Sequence, residues 1–194
     1  MALSLIEAFK ESCFKRPEVN LLCLGLDGAG KTAALERTKQ SFPGGGTTAV
    51  PFDKIAPTLG LNIAKLDILG CRAMVWDLGG DAKMRDIWER YYAEAHGVVF
   101  VIDAADPARF QEAKEAFSSA CAHAELLDVP ILIFANKCDL EFVVKPSAVE
   151  ELLSLGSRAQ PLHLQCASAL NNEGIEDGIN WLVGQAKQRL ASPK

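Results

Sequence analysis

Long apolar runs are missing from this sequence: no stretch approaches the ~18 consecutive apolar residues of a membrane-spanning helix. Histidine is scarce, and His96, His123 and His163 stand far apart. The six cysteines, Cys13, Cys23, Cys71, Cys121, Cys138 and Cys166, include no C-x-x-C pair. A zinc site is therefore not expected. Cys23 and Cys166 sit in apolar, strand-like runs, so the thiols are expected to be reduced and mostly buried, as in a cytosolic protein. No block of arginine and lysine appears, and the net charge is -5, which argues against a nucleic-acid binder. No internal repeat is seen. The first residues lack the basic and apolar regions of a secretory leader. Ala2 stands where N-myristoylation needs glycine, and Ala191-Ser192-Pro193-Lys194 holds no prenylation box, so neither lipid is expected.

What is present suits one globular domain. The chain has 194 residues, 49% hydrophobic and 23% charged. Residues 2–15 read as an amphipathic helix, with Leu5, Ile6, Phe9 and Cys13 three and four apart and Pro17 closing it. Residues 19–24 read as a buried strand. A glycine-rich turn and a helix over 31–40 follow. Residues 41–57, with Pro43, Gly44, Gly45, Gly46 and Pro51, read as a long loop without a packing pattern. Residues 61–68 alternate and 71–76 return, which predicts a hairpin turning at Leu69-Gly70. Strands at 98–102, 131–134 and 162–166 then alternate with helices. One is opened by Pro107 and carries Phe110, Ala113, Phe117 and Cys121 on one face; another covers 146–155; the last carries Ile179, Leu182, Val183, Ala186 and Leu190. This order predicts an α/β fold with a mainly parallel sheet, whose ligands sit at the carboxyl ends of the strands.

The loops at those ends carry the chemistry. Gly25-Leu26-Asp27-Gly28-Ala29-Gly30-Lys31-Thr32 fits G-x-x-x-x-G-K-[ST], a phosphate-binding loop between a strand and a helix. Asp27, Gly28, Ala29 and Gly30 would present backbone N–H groups to phosphate oxygens. Lys31 would reach the β and γ phosphates, and Thr32 would ligand Mg²⁺. Trp76-Asp77-Leu78-Gly79-Gly80 places Asp77 to hold Mg²⁺ through water and the Gly80 N–H near a γ-phosphate. Pro57-Thr58-Leu59-Gly60 offers Thr58 as a second hydroxyl for the metal, engaged only when a γ-phosphate is present, so that one phosphate would order two loops. Asn136-Lys137-Cys138-Asp139 names the base: a carboxylate at Asp139 can accept from N1 and N2 of guanine, and adenine has no such donor pair. Cys166-Ala167-Ser168 would supply an N–H near the guanine O6.

With these residues in view the chain resembles the Arf family of small GTPases over nearly its whole length. The motifs at 25–32, 76–80 and 136–139 carry the likeness. The run Gly60-Leu61-Asn62-Ile63, the extended loop at 41–56 and residues 91–98 resemble the Arf-related branch. The resemblance implies a P-loop small-GTPase domain over 17–194, a six-stranded, mostly parallel sheet flanked by five helices, and an N-terminal amphipathic helix over 1–16. It implies a GTP/GDP switch with Mg²⁺, acting as a monomer on vesicle traffic, cytoplasmic and reversibly bound to Golgi membranes. Partners would be an exchange factor, a GTPase-activating protein and effectors meeting Leu61, Trp76, Tyr91 and the switch loops. The hairpin at 61–76 matches an interswitch that slides in register with the nucleotide and expels the N-terminal helix toward the membrane.

Two departures bear on activity. Asp81 stands where the family carries its catalytic glutamine. Glutamine is neutral and long enough to orient the attacking water; aspartate is shorter and negative, close to an anionic phosphate. Slow, partner-assisted hydrolysis is expected, with Asp81, Gly80 and Lys31 as the catalytic positions. A GTP-binding scaffold with negligible hydrolysis is the rival reading. A small-molecule kinase is a third, disfavoured because the long loop at 41–57 has no arginine to serve as a lid. The second departure is Ala2, which leaves the amphipathic helix alone to supply weak membrane affinity.

Overall fold

The computed structural model describes residues 16–42, 44, 48–157 and 159–192. The helix expected over 2–15, and Cys13 within it, lie outside the described residues. Six strands form one sheet: β1 (Glu18–Gly25), β2 (Leu61–Ile68), β3 (Cys71–Leu78), β4 (Gly97–Asp103), β5 (Ile131–Asn136) and β6 (Leu162–Cys166). Their order is β2-β3-β1-β4-β5-β6. β2 and β3 are antiparallel, and every other pairing is parallel. The described helices are α1 (Lys31–Ser41), α2 (Glu89–Tyr92), α3 (Phe110–Ala122), α4 (Pro146–Leu153) and α5 (Ile175–Ala191). The hairpin turns where expected, with Leu69 and Gly70 both at positive φ.

Strand alternation divides the core. On β4, Val98, Phe100 and Ile102 face one layer while Val99 and Val101 face the other. The first layer packs Phe117 of α3 and Val149 of α4, with Phe100 and Phe117 in edge contact at 5.0 Å between centroids. The second packs Leu35 of α1 and Ile179, Leu182 and Val183 of α5. Both faces of the parallel strands are thus covered, so the middles of β1, β4 and β5 are apolar. β1 pairs with β3 on one side and β4 on the other. The connection from β1 runs to the β2–β3 side and that from β3 crosses to β4 on the other side, opening a crevice at the carboxyl end of β1.

One expectation needs correction, and two segments gain detail. The region at 41–57 is a loop as expected, and its described residues from 48 onward pack on α1. It contains a short 3-10 turn at Phe52–Lys54. The Arg37 guanidinium lies 4.6 Å from the Phe52 ring centroid. The Val50 N–H donates to Glu36, which forms a buried ion pair with Lys39 at 2.6 Å. These partners sit on α1, outside the window in which periodicity is read. Cys166 is exposed, not buried, because β6 is an edge strand. Residues 82–92, unassigned from the sequence, form a 3-10 turn at Ala82–Ile87 followed by α2.

The start of β4 is fastened by His96, whose Nδ1 accepts from the Asn20 N–H at 2.9 Å. Burial, aided by Arg189, holds the His96 pKa below the usual range. A proton on Nδ1 would abolish the acceptor. The folded pKa lies below the unfolded one, so the stability from neutral His96 is full above about pH 6.5 and is lost as pH falls below it. The melting temperature should therefore fall less between pH 7.5 and 5.5 in His96→Gln, which keeps an acceptor and does not titrate. An equal fall in both proteins would contradict this.

Candidate nucleotide-binding site

The crevice at the end of β1 is walled by the loop at 25–32. Gly30 has φ 93, and a Cβ there would come within 2.2 Å of the Asn136 amide nitrogen. Gly80 approaches the same loop from the end of β3. A Cβ on it would meet the Gly25 oxygen at 2.3 Å and Lys31 Nζ at 2.4 Å. Lys31 is buried, and Nζ donates to the Leu26 oxygen at 2.8 Å. Burial holds its pKa below the usual lysine range, against an upward pull from Cys23 and Asp77.

Three oxygen-bearing side chains meet beside Lys31. The Thr32 hydroxyl donates to Asp77 Oδ2 at 2.7 Å, and the Thr58 hydroxyl lies 3.1 Å from the same oxygen. The two hydroxyls are 2.8 Å apart. Asp77 is fully buried, and its Oδ1 has no hydrogen-bond partner among the described residues. An orphaned buried carboxylate oxygen is costly unless a cation or bound water reaches it. Two hydroxyls and a carboxylate are the hard donors that Mg²⁺ takes. The residues present therefore fit that metal.

The base-side loops are joined by side chains. Asn136 is buried; its Nδ2 donates to the Ala29 oxygen at 2.9 Å, and its Oδ1 accepts from the Ala169 N–H at 3.1 Å. The Ser168 hydroxyl donates to Asp139 Oδ1 at 2.5 Å and accepts from the Asn171 N–H. Ser168 thus orients the carboxylate. Lys137 sits at φ 66 with Nζ 2.5 Å from Asp103. The N–H groups at 166–168 are more occupied than the sequence suggests. Ala167 donates to the Ala135 oxygen at 2.9 Å, and Ser168 to Glu173. A guanine O6 there would share the Ala167 donor.

Asp81 is exposed and caps the 3-10 turn, Oδ1 accepting from the Lys83 N–H at 2.9 Å. Its carboxylate is therefore held by its own loop. The apolar cluster is uneven: Leu61 is 36% exposed, whereas Trp76 is buried against Tyr91 at 5.5 Å between ring centroids. Leu59, at 90% exposure, and Ile63, at 45%, extend the surface beyond the residues the sequence singles out.

The structure adds a charged chain that the sequence reading does not assemble. Arg109 donates to the Asp27 carbonyl at 2.8 Å and to its carboxylate at 2.7 Å. It also pairs with Glu112 at 2.9 Å. Glu112 in turn pairs with Arg85, whose Nε donates to the Gly80 oxygen at 2.9 Å. The Arg109 bonds hold the Asp27 carboxyl below the usual range; Arg109, then Arg85, do the same for Glu112. Trp88 Nε1 donates to the Gly79 oxygen at 2.9 Å, fixing the glycine pair from below. The i,i+3 spacing of Arg109 and Glu112 is visible in sequence; their reach to Asp27 and Arg85 is not. A cavity of about 250 Å³ lies beside this loop, lined by Leu26, Asp27, Val101, Phe110 and Lys137 among others.

A phosphate loop after β1, an aspartate near the end of β3 and an N-K-x-D run at the end of β5 define a small GTPase of the P-loop class. Comparison with known proteins narrows this. The model of the ADP-ribosylation factor family matches residues 5–186. ADP-ribosylation factor-related protein 1 of Homo sapiens is 38% identical over 184 residues, covering 93% of this chain and 90% of that protein. ADP-ribosylation factor-like protein 6 of Danio rerio is 35% identical over 176 residues, covering 89% and 91%. Among solved structures, the Arl6 BBS3 small GTPase of Trypanosoma brucei, with bound nucleotide analogue GppNp, superposes with a TM-score of 0.74 at 26% identity, covering 88% of this chain and 98% of that one. The chain belongs to the ADP-ribosylation factor family.

Asn136→Ala would strand the Ala29 carbonyl and the Ala169 N–H in a buried setting. At about 1–3 kcal/mol for each orphaned group, a loss of roughly 2–6 kcal/mol in urea denaturation is expected. A loss below ~1 kcal/mol would show that water repairs both bonds.

Proposed function

We propose that this chain is a guanine-nucleotide switch that binds GTP and GDP with Mg²⁺ and hydrolyses GTP slowly. The observation that carries the reading is the convergence of Thr32 and Thr58 on Asp77. These residues come from α1, the long loop and β3. Thr58 can join them only when its loop is drawn in, so a ligand held there selects one loop conformation. Bound Mg²⁺ would neutralise charge on the transferring phosphate. Lys31 and the N–H groups of 27–30 hold the phosphates, and Gly80 closes the far side. Asp139, steadied by Ser168, accepts from the guanine edge.

Asp81 sets the rate. Capping its own turn, it supplies neither the length nor the neutral amide that orients a water. A partner protein supplies the missing group in this reading. The rival reading, a GTP-loaded scaffold without turnover, is favoured by the same Asp81–Lys83 bond. The exposed Leu59, Leu61 and Ile63, with Tyr91, form the surface for effectors, an exchange factor and an activating protein. Action on Golgi vesicle traffic, with the N-terminal helix as a reversible membrane contact, is proposed from the family likeness.

Denaturing the purified protein and identifying the released nucleotide tests the reading. GDP supports the hydrolysing switch, GTP the scaffold, and neither would refute both. Asp139→Asn should lower guanine affinity and favour xanthine, whose O2 accepts from an amide. Asp81→Gln should speed single-turnover hydrolysis about tenfold or more, equivalent to ~1.4 kcal/mol of barrier. An unchanged rate would remove Asp81 from the account. Deleting residues 1–15 should abolish GTP-dependent liposome binding; unchanged binding would count against the membrane role.

A further inference from the structure

Two of the cysteines stand together at the base-side loops. Cys166 ends β6 and lies opposite Ala135 in the β5–β6 ladder. Past Asn136 the chain turns through Lys137 at positive φ and brings Cys138 back toward Ala135. Cys138 Sγ lies 3.0 Å from the Ala135 oxygen, and the Ala167 N–H donates to that same oxygen at 2.9 Å. The Cys138 N–H donates to the Ala167 oxygen at 3.1 Å. The Cys138 side chain and the peptide following Cys166 thus flank one carbonyl, which sets the two cysteines side by side. Cys166 is exposed and Cys138 half-buried, whereas Cys23, Cys71 and Cys121 are buried.

We infer that Cys138 and Cys166 are a redox-responsive thiol pair, oxidised by hydroperoxides to a disulfide that ties the two base-side loops together and slows release of guanine nucleotide. The release half rests on the function proposed above. Burial first, then the neighbouring Cys166, pushes the Cys138 thiol up to about 11. Cys138 is therefore a neutral thiol at pH 7, and the exposed Cys166 meets the oxidant first. The Cys166 sulfur attacks the peroxide oxygen. An S–O bond forms and the O–O bond breaks; the sulfur is oxidised to a sulfenic acid, and the peroxide leaves as an alcohol, or as water from hydrogen peroxide. The Cys138 sulfur then attacks the Cys166 sulfur. An S–S bond forms, the S–O bond breaks, and the hydroxide takes the Cys138 proton as water. In sum, two thiols and one hydroperoxide give one disulfide, one water and one alcohol. A dithiol reverses the change by exchange.

The effect on release follows from what the loops hold. Asp139 and Ser168 face each other across them, as do Asn136 and Ala169, through hydrogen bonds alone. A base seated there leaves when the loops part. A covalent bridge restricts that opening, so the direction is toward slower release.

The full chain would be loaded with a fluorescent GDP analogue and treated with hydrogen peroxide. Peptide mapping by mass spectrometry and chase with unlabelled GDP would follow, with and without dithiothreitol. A linked peptide pair carrying Cys138 and Cys166, lighter by two hydrogens, is expected, with release slowed several-fold and restored by dithiothreitol. Cys138→Ser should lose both the link and the response to peroxide, judged against its own untreated rate. A loaded protein that forms no such link overturns the inference, as does a link with release unchanged or faster. So does slowing that persists in Cys138→Ser. Failure to load any guanine nucleotide overturns the function proposed above and the release effect with it, while the peptide map still reports on the bridge.

Discussion

One buried carboxamide holds the ligand-facing end of this molecule together. Asn136 leaves β5 with its donor on the phosphate loop and its acceptor on the loop after β6. The segments after β5 and β6 also share backbone hydrogen bonds, but none of these reaches the phosphate loop, which Asn136 ties to both. The side chain can do this because Gly30 has no Cβ, which would otherwise occupy the position of its amide nitrogen. The phosphate half and the base half are thereby placed relative to each other before any ligand arrives. Preorganisation of that kind lowers the ordering cost of binding.

The same economy governs the metal corner. Asp77 is buried because β3 lies inside the sheet, and burial raises its pKa against the pull of Thr32 and Lys31. A carboxylate in that setting is satisfied only in part by the chain itself. The protein therefore keeps a polar deficit at the end of β3, where the Thr58 hydroxyl already lies 3.1 Å from Asp77 Oδ2. What the loop gains by docking is set by this deficit and by the Glu36 anchor farther back.

Much of this was legible in the residues. Short apolar runs at β1, β4 and β5 read as strands covered on both sides, and the loops at their ends carried complete motifs. The fold class and the family follow from these. The loop at 41–57 is legible as a loop, but its contacts, Arg37 with Phe52 and Glu36 with Val50, are not, because they join residues with no shared period. Cys166 was misplaced because an apolar run does not tell an edge strand from a central one. The Asp81 cap was hidden for another reason: a motif names a position, and a side chain two residues from an N–H chooses its own partner. Arg109 escaped because its partner Asp27 is distant in the chain and nothing local marks it.

The charged chain from Asp27 through Arg109 and Glu112 to Arg85 has a consequence for dissection by mutation. Glu112 is shared, so neither arginine has a fixed value of its own. Removing Glu112 would leave two guanidinium groups facing each other without their counter-ion, each leaning harder on its remaining contact. Asp27 and Arg85 share no bond, yet each would respond to loss of the other through the common carboxylate. Energies measured singly at the four positions would then fail to add, and the size of that non-additivity would measure how tightly the phosphate loop and the segment after β3 are thermodynamically coupled.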